Sequence, residues 1–364
     1  MKRIHTIDFV RGVVMVVMAL DHTRDLMHVT ALTNSPTDLT TTTPALFFTR
    51  WITYFCAPIF VFLAGTSAYL SAQKQNELAA TRQFLLRRGI WLVVLEFTVV
   101  NFAIWFDLKF RTFIFQVIAA IGLSFIVLAL LLKLSTRVIG LIGLVIIFTH
   151  DLLTLWLPRS NGLWRAILSP LFVLTPYPLS PDRLFIISYP LIPWLGILLV
   201  GYAAGKLFER PANEQQRLLL KLGAGALALF AVLRFLNVYG DPVKWATQRN
   251  WMFTVLSFFN ISKYPPSLLF TLLTLGMMFL LLAWAEKFPA ILQRIFSVYG
   301  RVPLFYYLPH FYLLHVLMFG MVTASMTPVS PAITNENRNA VHHSIGILKR
   351  ILPPHIVPSQ LKIL

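Results

Sequence analysis

The sequence predicts an all-α protein: a polytopic membrane bundle of about nine helices with short loops. Three observations predict it. Of 364 residues, 57% are hydrophobic and only 12% charged, about half the charged share of a soluble domain; the mean hydropathy is +0.72. Apolar runs of roughly twenty residues, long enough to cross a hydrocarbon core, recur along the whole chain. None alternates with a period of two, so these runs do not describe a membrane barrel.

The first span covers 8–28 and carries charge at both ends. The second, 46–72, contains Pro58. The third, 89–106, buries Glu96 and Asn101, and the fourth, 112–132, contains Gln116. Glu96 near mid-span is costly unless it faces the bundle interior. The fifth, 137–157, ends near the pair His150–Asp151, which reads most simply as a structural hydrogen bond. The sixth covers 186–207, with Pro190 and Pro193 near its start; the seventh, 218–238; the eighth, 264–285. The ninth, 303–325, contains Pro309, His310 and His315, two histidines too offset to share a metal. These prolines predict kinks or broken turns. A tenth span remains open. The connections 158–185 and 239–263 hold apolar pieces too short to cross, each with Trp, and suit interfacial or re-entrant segments.

Residues 1–325 read as one transmembrane domain. Residues 326–364 read as an irregular tail or a truncated end, with a weak metal signal in His342–His343. The formal charge of +17 would suggest nucleic acid in a soluble protein. Here the basic residues flank apolar runs, so their partners are membrane lipids and no nucleic acid is expected. Cys56 is the single cysteine, which excludes an internal disulfide and a thiolate cluster. Met1–Lys2–Arg3 opens a long apolar run without an A-x-A site, which reads as an uncleaved anchor. The basic N-terminus, set against a loop 29–45 without Lys or Arg, places the N-terminus in the cytoplasm.

The stretch "IDFVRGVVMVVMALDHTRD" sets Arg11, Met15, Met18 and His22 on one helical stripe. Asp8 lies one turn below Arg11 and can pair with it; that pair either anchors the helix end or contacts a ligand. His22 can take and return a proton near neutral pH. Asp21 and Asp25 flank it and can orient it, and His28 is a second candidate further along.

Together with "APIFVFLAGTSAYL", "YPLIPWLGILLVGYAAGKLF", "NISKYPPSLLFTLLTLG" and "YGRVPLFYYLPHFYLLH", this stretch resembles the bacterial relatives of heparan-α-glucosaminide N-acetyltransferase, within the broader transmembrane acyltransferases. The likeness runs from about residue 3 to residue 316. It implies transfer of an acetyl group from cytoplasmic acetyl-CoA, the co-substrate, to a hydroxyl or amine of an envelope sugar or glycan on the far side of the inner membrane. It also implies a catalytic histidine near the outer end of the first helix. In the lysosomal enzyme that histidine corresponds to a position near Thr33, where this chain has none; the broader acyltransferases carry it at the spacing of His22. His22 is therefore preferred, as base or as nucleophile, with His28 open. Asp8, Arg11, Lys263 and Arg301 are the candidates for holding CoA phosphates, Lys263 only if its segment dips inward. No metal is required, and a homodimer is open. The rival readings are a permease for an anionic or sugar substrate and a non-catalytic relative.

Overall fold

A computed structural model describes residues 4–27, 35–75, 77–156 and 163–326. His28, Thr33, the His342–His343 pair and the tail from residue 327 lie outside them.

The first helix, α1 (His5–Met27), extends about 34 Å at 1.5 Å per residue, enough to cross a bilayer. Its partner stretch breaks into α2 (Pro44–Thr53) and α3 (Cys56–Gln75). Thr43 caps α2, accepting from the Leu46 amide, and Pro44 takes the first helical position, where no amide donor is needed. Pro58 falls in the first turn of α3, where it breaks no helical bond. Next come α4 (Leu78–Leu95), a wide π turn over Glu96–Val100 and α5 (Asn101–Trp105). This helix begins eleven residues before the predicted third span, because the basic residues 82, 87 and 88 lie within it.

The predicted fourth span opens instead on a strand, β1 (Thr112–Phe115), followed by α6 (Val117–Leu131) and α7 (Thr136–Trp156). The connection to the next helix folds as α8 (Leu163–Phe172) and a hairpin, β2 (Thr175–Ser180) and β3 (Arg183–Ile187). β1 pairs parallel to β3, with Thr112 opposite Leu184, and β2 pairs antiparallel to it. This small sheet went unpredicted. Asn101 explains part of it: its side chain donates to the Thr112 carbonyl and accepts from the Ile114 amide, clamping β1. The chain continues through α9 (Leu191–Ala204), α10 (Ala212–Leu236), α11 (Trp251–Phe259), α12 (Leu268–Trp284), α13 (Ala290–Arg301) and α14 (Pro303–Met326).

Each of the nine predicted spans meets a helix. Among the described residues, seven stretches are long and apolar enough to cross a membrane; α1 is not one of them because of its charged ends, and α6 is shorter. Outward faces of α7 and α10 expose Leu141, Val145, Phe148, Val232 and Phe235, the surface a lipid environment covers.

Packing depends on small residues at the crossings, as expected where lipid supplies no hydrophobic drive. Gly89 of α4 meets Gly122 of α6, and Gly143 of α7 meets Gly196 of α9. The α1–α13 crossing is closest. A Cβ on Gly12 would collide with the Phe296 carbonyl, and one on Gly300 would collide with the Asp8 carbonyl. That contact fixes α13 against the N-terminal end of α1. α14 packs beside α1 as well, so the last described helix lies against the first.

Candidate active site

The predicted stripe of α1 is a wall. Arg11, Met15 and Met18 line a cavity of about 320 Å³, which also reaches Arg88 of α4 and Arg301 of α13. Leu85, Leu92, Ile121 and Phe125 make its apolar sides. Arg11 donates to the Ser67 hydroxyl at 2.8 Å and to the Gly300 carbonyl at 3.4 Å, and its guanidinium lies 3.9 Å from the Asp8 carboxylate. Asp8 and Arg11 are neighbours, as their spacing suggested, and Arg11 also faces the cavity. Arg88 lies over the rings of Phe84 and Phe125. The cavity is positive at one end and apolar beyond it.

At its far end the cavity meets Tyr307. The Tyr307 ring lies 6.4 Å from that of His22 and 5.6 Å from that of His310. His22 Nδ1 and His310 Nε2 are 2.6 Å apart. One proton lies between them, so one ring donates and the other accepts. Phe311 stacks on the other side of His22 at 4.5 Å. Pro309 has no amide to give to the α14 ladder, and His310 follows it directly, turned toward α1.

This corrects one expectation. Among the described residues, neither Asp21 nor Asp25 hydrogen-bonds the His22 ring; His310 does. Successive helical residues diverge by about 100°, so Asp21 turns away toward α2. There it accepts from Arg50 at 2.8 and 3.0 Å, from Thr53 at 2.8 Å, and from Arg24. Asp25 accepts from Arg24 at 2.7 Å.

Lys263 is corrected too. Its Nζ lies 3.9 Å from Asp21 Oδ2, at the opposite end of α1 from Arg11, so it does not join Arg11 and Arg301. Its loop is pinned there from two sides. Asp241 accepts from the Ser262 amide at 2.8 Å and the Ser267 hydroxyl at 2.6 Å. The Pro266 carbonyl lies 2.9 Å from His150 Nε2, and Asp151 accepts from the Leu268 amide. His150 and Asp151 thus have a structural task. So does Glu96: fully buried, it accepts from the Ala119 amide at 2.8 Å and caps α6 across the bundle.

Sequence reasoning missed Arg50, considered Arg88 only as a partner for Glu96, which instead accepts from the Ala119 amide, and weighed His310 only as a metal ligand. His310 pairs across 288 residues of sequence, a separation at which no local spacing gives a signal.

The catalytic-domain model of heparan-α-glucosaminide N-acetyltransferase matches residues 3–241. The chain belongs to that family. It is accordingly a membrane protein of acetyltransferase type, a class whose general co-substrate is acetyl-CoA. The match includes Arg11, His22, Arg50 and Arg88, whereas Lys263, Arg301 and His310 lie beyond it. A comparison with curated proteins found no match.

Proposed function

We propose that this protein transfers an acetyl group from acetyl-CoA, on the cytoplasmic side of the inner membrane, to an amine or hydroxyl of an envelope sugar at the other face. One observation carries this reading. A single cavity runs from three arginines, Arg11, Arg88 and Arg301, along an apolar wall to Tyr307, which touches the His22–His310 pair. Guanidinium groups suit the phosphates of CoA. The apolar wall suits its long arm, and a volume of about 320 Å³ is right for such an arm rather than for the nucleotide as well.

The histidine pair supplies the proton chemistry. With Nδ1–H of His22 donated to His310 Nε2, His22 Nε2 keeps a free lone pair. His310 then holds the imidazole in that tautomer, as the third group of a catalytic triad does. His22 Nε2 takes the proton of the acceptor amine or hydroxyl as that nitrogen or oxygen bonds to the acetyl carbon. The carbon–sulfur bond breaks, and His22 returns the proton to the departing sulfur. An alternative order, in which His22 first carries the acetyl group itself, uses the same atoms. Donor capture at one end of α1 and proton transfer at the other explain why its charges sit at both ends.

The test is reconstitution. Purified protein in vesicles, given radiolabelled acetyl-CoA outside and glucosamine inside, should form N-acetylglucosamine inside the vesicles. Release of the loaded sugar without acetylation would instead establish a carrier, and neither result would leave a non-catalytic relative.

A further inference from the structure

Beyond the histidine pair, α1 ends in a buried cluster of charge. It contains three cations, Arg24, Arg50 and Lys263, and two carboxylates, Asp21 and Asp25. The carboxylates do not satisfy the cations. Arg24 is only 7% exposed at its side chain, and one of its nitrogens, Nη2, makes both of its bonds to Asp21 and Asp25. Its Nε and Nη1 are buried and have no acceptor among the described residues. The Lys263 side chain is 6% exposed, and its nearest carboxylate oxygen, at 3.9 Å, is beyond hydrogen-bond reach. Around it are the ring faces of Tyr264 and Tyr54, at 5.2 and 6.0 Å. Asp21 Oδ1 is crowded, accepting from Arg24, Arg50 and Thr53, while its Oδ2 accepts from Arg50 at 3.0 Å and stands 3.9 Å from Lys263 Nζ.

Buried donors are nearly always paired, and those of a charged group are the most costly to leave open. Two buried cations, Arg24 with open donors and Lys263 without a carboxylate in hydrogen-bond reach, describe a receptor for an oxyanion. The donor's phosphates do not reach it: Arg24 stands thirteen residues along α1 from Arg11, about 20 Å at 1.5 Å per residue. The group that comes here belongs to whatever approaches His22 from this face.

We infer that Arg24 and Lys263 form an oxyanion subsite at the end of α1 beyond the His22–His310 pair, which holds a phosphate or carboxylate carried by the acceptor. This rests on the acetyltransferase reading for the name of the ligand, and on the open donors for the site. The subsite would select acidic sugars over neutral ones and position the accepting group through the charge it carries.

The experiment compares three acceptors: methyl glucosaminide, its 6-phosphate and the corresponding 6-carboxylate. Transfer from acetyl-CoA is measured for each with the full chain, alongside calorimetric binding of the two anionic sugars. For wild type the kcat/KM should favour at least one anionic acceptor by about tenfold or more, the scale of one charge-assisted hydrogen bond. Which arm wins tells phosphate from carboxylate. Arg24→Gln and Lys263→Gln should each bring the ratio close to one and weaken binding of that sugar, and Lys263→Arg should retain both. Lys263→Gln serves if Arg24→Gln fails to fold.

Equal transfer to all three acceptors overturns the subsite and leaves the acetyltransferase intact. An anionic preference unchanged in both Gln variants overturns it as well. Saturable binding of an anionic sugar, lost in the variants but without transfer to any acceptor, upholds the subsite and sinks the acetyltransferase reading. Neither binding nor transfer overturns both.

Discussion

Substituting Gly300 by alanine adds one methyl group where two helices touch. An ideal Cβ there would lie 2.7 Å from the Asp8 carbonyl carbon and 2.9 Å from the Gly12 nitrogen. Ordinary carbon contacts begin at about 3.5 Å, and the Asp8 carbonyl oxygen is nearer still, so α13 has to retreat from α1 by more than about 1 Å. Overpacking of this kind costs about 1–3 kcal/mol. The move also acts on the donor site. The Arg11 contact with the Gly300 carbonyl, already 3.4 Å, passes out of hydrogen-bond range, and Arg301, the next residue, moves with α13. A displacement near 1 Å at a positioning site costs up to about a hundredfold. Thermal melting in detergent should show the lost stability, and calorimetry should show acetyl-CoA binding weakened by about tenfold or more. Gly225→Ala, inside α10, is the control, since nothing lies within 4 Å of a Cβ at that position; it should leave donor affinity unchanged and the melting temperature equal or slightly raised. A Gly300→Ala protein with wild-type melting and donor affinity would refute the claim that this crossing sets the donor site.

Three further outcomes are expected. Arg11→Lys keeps the charge but loses the planar fork, so acetyl-CoA affinity should fall while the fold is retained; unchanged affinity in Arg11→Gln would remove Arg11 from the donor site. Asp21→Asn leaves Arg24, Arg50 and Lys263 without their shared buried counter-charge and should destabilise the protein by about 3–5 kcal/mol in denaturation curves; a loss under 1 kcal/mol would show that the cluster does not depend on this carboxylate. Orientation is read with single cysteines in a Cys56→Ala background: one at Thr41 should react with an impermeant thiol reagent in intact spheroplasts and one at Gln75 should not, and the reverse pattern would invert the direction of transfer.

Much of the frame was legible because it depends on hydropathy, which is local. The stripe Arg11, Met15, Met18 and His22 was readable from helical period alone, and three of its members line the cavity while the fourth lies just past its end. The strands were not readable: Thr112–Phe115 is apolar and continuous with α6, so hydropathy merged them, and their pairing depends on β3 some seventy residues later. Likewise Lys263 was a candidate for the CoA phosphates if its segment dipped inward, and only the Asp241 and His150 contacts to its loop fix which end of α1 it reaches. Asp21 and Asp25 flank His22 in sequence, and adjacency suggested that they orient it. A helix sends neighbours to different faces, so the orienting group came from α14 instead.

The most direct test of the account is single-turnover acetyl transfer in His22→Gln, His310→Gln and the double variant, with acetyl-CoA binding measured on each. His22→Gln keeps a hydrogen-bonding side chain but cannot accept a proton, and should lower the transfer rate by about 10²- to 10⁴-fold, the usual loss of a general base, with donor binding near wild type. His310→Gln should lower it less, and the double variant should be no slower than His22→Gln, because residues that act as a unit are not additive. Transfer within a few-fold of wild type in His22→Gln would contradict the account, whatever His310→Gln shows.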